Sequence, residues 1–135
     1  MTNDRDWVGD VEAMSAKFGV RSEVSRFSPE RLSVFLQFRL DFLREELDEA
    51  LRAKRAEDVT DAMIDLCVVA IGTLEAVGVD AREAWRRVMT ANMAKEPGVK
   101  PERPNPLGLP DLIKPPGWVA PSHADNVGDL HKLFN

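Results

Sequence analysis

FLQFRLDFLREELDEALR, residues 35–52, is the stretch that decides the fold. Projected on a helix at about 100° per residue, Leu36, Leu40, Leu43, Leu47 and Leu51 run down one side, with Phe35, Phe38 and Phe42 beside them. Gln37, Asp41, Arg44, Glu45, Asp48 and Arg52 fill the opposite arc. Arg39, Glu46 and Glu49 break the pattern, because all three fall inside the apolar arc. The next helical stretch, DVTDAMIDLCVVAIG at 58–72, repeats the anomaly: Asp58, Asp61 and Asp65 share one stripe with Val68, Val69 and Gly72. Carboxylates in the low-dielectric groove between helices are costly unless they are neutralised or bind a cation. Two acidic pairs on adjacent helices suit a hard, oxygen-seeking ion such as Mg²⁺, with Mn²⁺ as the alternative.

Working outward, the pattern predicts four helices and an irregular tail, an all-α, four-helix bundle-like domain over residues 1–96 and a proline-rich strap over 97–135 packed on it. The first helix is expected over Arg5–Phe18, closed by Gly19, with residues 19–27 as a connector. Ser28-Pro29-Glu30 opens the second with an N-cap serine, a proline in the first turn and an acid near the positive helix end; it runs to about Lys54. The third spans about Glu57–Val77 and stops at Gly78. Asp80-Ala81-Arg82-Glu83 resembles a capping box and starts the fourth, which ends near Lys95. Eight of the nine prolines lie between Pro97 and Pro121, which excludes long helices and central strands there. Leu107, Leu109, Leu112, Ile113 and Trp118 make that segment too apolar for a free tail. Asp129–Phe134 is expected to form a terminal helical turn.

A short turn at Arg55–Ala56 makes the second and third helices an antiparallel hairpin. Counted away from that turn, Glu46 and Glu49 lie at heights similar to Asp61 and Asp65, so the hairpin brings the four carboxylates together. The competing assignment for the acids is a buried ion pair with Arg39, which could also orient a metal-bound carboxylate. Asp58, in a first turn, suits the helix dipole without any function, with a metal or base role as the alternative, and Lys95 at a helix C-terminus is open to the same dipole reading. Lys100, Arg103 and Lys114 in the strap could close over phosphates. Trp7, Trp85 and Trp118 are assigned to packing, and His123 and His131 have no ligand-like spacing.

The chain has 135 residues and a net charge of -5. A broad surface for a nucleic acid polymer is therefore not expected. One cysteine, Cys67, excludes an internal disulfide, lies in an apolar run assigned to the core and permits a cytoplasmic setting. That run, Leu66–Ile71, is too short to span a membrane, and the polar, acidic stretch Met1–Val11 is not expected to act as a signal peptide. No phosphate-loop, dinucleotide-fold or zinc motif is present.

The acidic pattern, Glu45-Glu46-Leu47-Asp48-Glu49 followed by Asp61-Ala62-Met63-Ile64-Asp65, resembles the MazG-like all-α nucleoside triphosphate pyrophosphohydrolases. Arg39, Gly72, Gly78-Val79-Asp80, Asn92 with Lys95, and the stretch Lys114, Pro115, Gly117, Trp118 and Pro121 are similar to a phage-associated, phosphoribosyl-ATP pyrophosphohydrolase-like branch. The resemblance covers roughly residues 5–121. It implies cleavage of a nucleotide between the α- and β-phosphates, with Glu46, Glu49, Asp61 and Asp65 as ligands of Mg²⁺ or Mn²⁺. It further implies Glu45 or Glu49 as the proton acceptor, and Arg39, Asn92, Lys95, Lys100 and Lys114 as substrate contacts. Phe35, Phe38 and Trp85 are candidates for contact with the base. Family members are dimers or tetramers, so a homodimer or homotetramer is expected. One departure stands out: Ala62 occupies the place of a usual glutamate, with Asp61 on the same face as its substitute. That departure favours the rival class, a non-catalytic metal- or nucleotide-binding helical module with a structural or regulatory role. A di-iron bundle is disfavoured because no histidine falls on the four helices.

Overall fold

The computed structural model describes residues 5–103 and 106–134; residues 1–4 of the expected helical domain and 104, 105 and 135 of the expected strap lie outside the described residues. Among the described residues the chain is mainly helical: α1 (Trp7–Phe18), α2 (Val20–Val24), α3 (Pro29–Arg52), α4 (Ala56–Ala76) and α5 (Ala81–Met93). A two-stranded antiparallel ribbon follows, β1 (Glu96–Gly98) with β2 (Asp111–Ile113), and a 3₁₀ turn (Gly128–Lys132) is the last element among the described residues. Residues Met1–Ala81 with Asn126–Asn135 form one compact unit and Arg82–Asp125 another.

In the first unit, α3 begins as its sequence dictates. Ser28 Oγ accepts the Arg31 N–H at 3.2 Å and Pro29 occupies the first turn. Only Ala53, Lys54 and Arg55 separate α3 from α4, so the two run antiparallel and form the main contact of the unit, with α1 also packed on α4. On α4 the buried positions are Ala62, Val69 and Ala76, seven residues apart. Small or β-branched side chains at that spacing let α3 approach closely. Leu32 and Val77 are fully buried, and Val11, Val24, Val79 and Ala81 are buried in the same unit.

Several expectations change. The connector 19–27 contains α2, and α3, α4 and α5 are each shifted or shortened by one to three residues at their ends. Cys67 is half-buried rather than central. Leu40, Leu47 and Leu51, expected in the apolar arc of the core, are exposed. Trp7 and Trp85 do not pack either; they are 62% and 69% exposed.

The end of α4 is closed by two hydrogen bonds, Val79 N–H to Leu74 O (3.0 Å) and Gly78 N–H to Glu75 O (3.1 Å). The C-terminal segment returns to this point. Asp129 N–H donates to Val77 O at 2.7 Å, and Arg21 Nη1 donates to Asp129 Oδ2 at 2.8 Å. Asn126 pairs with the Asp80 backbone in both directions, at 2.8 and 2.9 Å. Gly128 has φ 55°, and a Cβ there would collide with the Val77 carbonyl, so only glycine fits.

In the second unit, Glu83 on α5 gathers Arg86 and Arg87, and Arg87 reaches Asp125 (2.6 Å) and the Ser122 carbonyl (3.0 Å). Hydrogen bonds from Arg86 and Arg87 hold the Glu83 carboxyl down to about 2, and the hydrogen bond from Arg87 lowers that of Asp125. The Trp118 indole N–H donates to the Ala91 carbonyl at 2.7 Å, fixing residues 115–122 on α5. Pairing of Glu96 with Ile113 and Gly98 with Asp111 closes the ribbon, and Arg103 binds Asp111 at 2.6 Å.

Candidate active site

The α3–α4 hairpin places Glu46 toward α4. Its residue exposure is 8%, and Oε2 is buried with no hydrogen-bond partner. An orphaned carboxylate oxygen is unusual in a folded protein, because its desolvation is uncompensated. Burial raises the Glu46 pKa first, and Glu49, Asp65 and Glu45 raise it further by repulsion. A hydrogen bond with Glu49 adds to the effect, since two carboxyl groups can bond only by sharing a proton. Asp65, half-buried on α4, is raised for the same reasons: burial, then Asp61 and Glu49, with a hydrogen bond to Asp61.

Glu46, Glu49, Asp61 and Asp65 therefore feel one another's charge across the hairpin. Glu49 and Asp61 are exposed at its rim, as are Glu45 and Asp58. No three Asp, Glu, His or Cys side chains among the described residues are arranged to grip an ion as they stand. The chemistry of the set nevertheless fits a hard cation. It offers oxygen donors only, like charges that repel without a counter-ion, and one buried oxygen lacking any partner.

Arg39 is half-buried and does not pair with these acids. Its Nε donates to Thr73 Oγ1 and its Nη2 to the Val69 carbonyl, each at 2.9 Å. Among the described residues it makes no ion pair, so the rival account of the acids as partners of Arg39 does not hold. Burial lowers its pKa, and its guanidinium lies 5.6 Å from the Phe42 ring centre. Phe38 is exposed, whereas Phe35 packs edge-on against Phe27 at 6.0 Å.

The remaining predicted contacts belong to the second unit. Lys95 and Lys114 both contact one ring, their ammonium groups 5.2 and 5.1 Å from the centre of Trp118. No feature of the spacing in sequence revealed that convergence; it arises because the Trp118–Ala91 bond brings residues 114–118 onto the end of α5. Asn92 is half-buried, and its carbonyl accepts the Lys95 N–H at 3.1 Å. Lys100 accepts, through its carbonyl, the Arg103 N–H at 3.1 Å. A groove of about 530 Å³ between α5 and residues 115–122 is lined by Arg86, Thr90, Ala91, Trp118 and Pro121 among others, and by none of these predicted contacts. The buried, unpartnered His123 Nδ1 also went unmarked in the sequence.

Among the described residues no helix is long and apolar enough to cross a membrane. Neither the curated proteins nor the solved structures yield a significant match to the chain. The family model for phosphoribosyl-ATP pyrophosphohydrolase matches residues 17–92, which is more than half of the sequence and includes both acidic motifs. On that match the chain belongs to the phosphoribosyl-ATP pyrophosphohydrolase family, part of the MazG-like nucleotide pyrophosphohydrolase superfamily.

Proposed function

We propose that this chain is a Mg²⁺- or Mn²⁺-dependent hydrolase that cleaves a nucleoside triphosphate-like substrate between its α- and β-phosphates, releasing a monophosphate and pyrophosphate. The observation that carries the proposal is the buried, unpartnered Glu46 Oε2, on a carboxyl that feels the charge of Asp65 across the hairpin, in a chain of a pyrophosphohydrolase family. Glu46, Glu49, Asp61 and Asp65 would hold the cation. A divalent ion in this family's sites supplies charge shielding for phosphate oxygens and lowers the pKa of a water. Glu46 and Asp65 contribute fixed negative charge at the seam of two rigid helices, which preorganises the site. Glu45, at the solvent-facing rim, accepts the proton of the attacking water, with Glu49 as the alternative acceptor. Asn92, Lys95, Lys100 and Lys114 contact the phosphates or sugar. Two ammonium groups within about 5 Å of the Trp118 ring support this assignment, because neither forms an ion pair among the described residues and each can meet an anion.

The proposal includes a cytoplasmic homodimer or homotetramer. Exposed Leu47, Leu51 and Met63 on α3 and α4 support an assembly, since large apolar side chains in water favour burial. Ala62 favours the rival, a non-catalytic binding module. One experiment decides between them: a panel of nucleotides incubated with Mg²⁺ and assayed for pyrophosphate and monophosphate. Equimolar release of both from at least one nucleotide is expected. No release from any of them overturns the enzyme assignment in favour of the module.

A further inference from the structure

Arg39 crosses from α3 to α4 in a way that does more than fill space. Nε and Nη2 form a fork whose two prongs end on Thr73 Oγ1 and the Val69 carbonyl, both at 2.9 Å. Thr73 Oγ1 donates to the same Val69 carbonyl at 2.7 Å, so the three groups close a small network. Gly72 makes the network possible, because a Cβ there would stand 2.8 Å from Arg39 Nη2. A planar guanidinium with both prongs engaged fixes direction as well as distance, which a single ammonium cannot do.

The network sits beside the acidic cluster in both helices. Val69 is four residues beyond Asp65, and Arg39 is seven residues before Glu46. A one-residue slip of α4 along its axis turns its side chains by about 100°. Such a slip would carry Asp61 and Asp65 away from the seam they share with Glu46 and Glu49. The neighbouring α4 contacts, Ala62, Val69 and Ala76, are small or β-branched and set close approach more than register.

We infer that Arg39, seated in the Gly72 notch and forked onto Thr73 and Val69, is a positioning residue that locks the register of α4 so that Asp61 and Asp65 meet Glu46 and Glu49 around a divalent cation. The inference rests on the assignment of those four carboxylates as the cation's ligands. It removes Arg39 from direct contact with the nucleotide.

The test compares the full chain with Arg39→Lys, Gly72→Ala and the double variant, measuring Mn²⁺ affinity by calorimetry and kcat and KM by pyrophosphate release. Arg39→Lys keeps the charge and loses the fork; Gly72→Ala keeps Arg39 and fills its notch. Each is expected to weaken Mn²⁺ binding and to lower kcat by about tenfold or more, with KM for the nucleotide within about twofold. The double variant is expected to match the worse single one, because both changes break one unit. If Arg39→Lys does not fold, Gly72→Ala carries the test alone. Unchanged Mn²⁺ affinity in the variants, with only a lower melting temperature, reduces Arg39 to a packing role and overturns the inference. A raised KM with unchanged Mn²⁺ affinity makes it a substrate contact and also overturns it. A wild-type protein that binds Mn²⁺ but releases no pyrophosphate overturns the proposed reaction, while the Mn²⁺ arm still decides the role of Arg39. A wild type that binds no Mn²⁺ overturns both.

Discussion

Glu46 and Asp65 are both raised above the ordinary carboxylate pKa, first by burial and then by their acidic neighbours. The folded state therefore holds protons that the unfolded chain would release. Stability from these groups is complete below the ordinary carboxylate range and is lost as pH rises through the raised values. Glu83, held at about 2 by hydrogen bonds from Arg86 and Arg87, has the opposite sign: its contribution is present above the ordinary range and lost as pH falls toward about 2. Metal-free protein is thus expected to melt at a higher temperature near about pH 5 than near about pH 8. Glu46→Gln should flatten that dependence, raise the metal-free melting temperature and abolish stabilisation by Mg²⁺. Scanning calorimetry with and without chelator checks all three, and an unchanged slope in Glu46→Gln would show that the repulsion is not centred there. Glu49→Gln and Asp65→Asn keep shape but remove ligand charge, so each should cut turnover by at least roughly 100-fold. Asp48→Asn, on the exposed face of α3, should leave turnover unchanged.

Helices α3 and α4 meet along a seam in which Ala62 is 3% exposed. The family's usual glutamate at this position would have to enter a close helix contact here. Ala62→Glu is therefore expected to lower stability by about 2 kcal/mol or more, the cost of a large, poorly solvated acid in a packed seam. It should not raise turnover. Chemical denaturation beside the pyrophosphate assay separates the two effects. Higher activity with unchanged stability would mean that position 62 still faces the carboxylates and that Asp61 has not replaced it.

At the scale of the molecule, the C-terminal segment closes the first unit against itself. Arg21, Val77 and Asp80 each receive a partner from residues 126–129, and Lys132 Nζ reaches the Ser25 and Phe27 carbonyls at 3.5 Å. Removing residues 126–135 exposes Val77, which is fully buried in the intact chain. Gly128→Ala should cost about 2 kcal/mol or more, from a left-handed φ combined with collision at the Val77 carbonyl. Thermal unfolding of both variants provides the check. A melting temperature equal to wild type in Gly128→Ala would show that the turn can relax without loss.

The type and order of the four long helices were legible because local rules decide them, whereas the short α2 was not. Ser28-Pro29 caps α3, the three-residue link forces a hairpin, and four acids counted from that link fall at matching heights. The apolar arc was harder to interpret: periodicity marks a face as greasy without saying what covers it, and Leu47 and Leu51 remain exposed in a single chain. The exposure of Trp7 and Trp85 has the same origin. Nothing in the order of residues indicates that Arg39 ignores the acids beside it for Thr73 and Val69, or that Gly72 exists to make room for it. Nor does it show Asn126 seated on Asp80, or Lys95 and Lys114 sharing Trp118. Apart from Lys114 with Trp118, those contacts join residues 23 to 46 positions apart, and their geometry depends on how packed elements meet. The sequence by itself determined which segments coil and where acid lies along them. Tertiary structure alone decided which polar groups found partners, because a hydrogen bond is set by ångströms and angles that spacing along a chain does not contain.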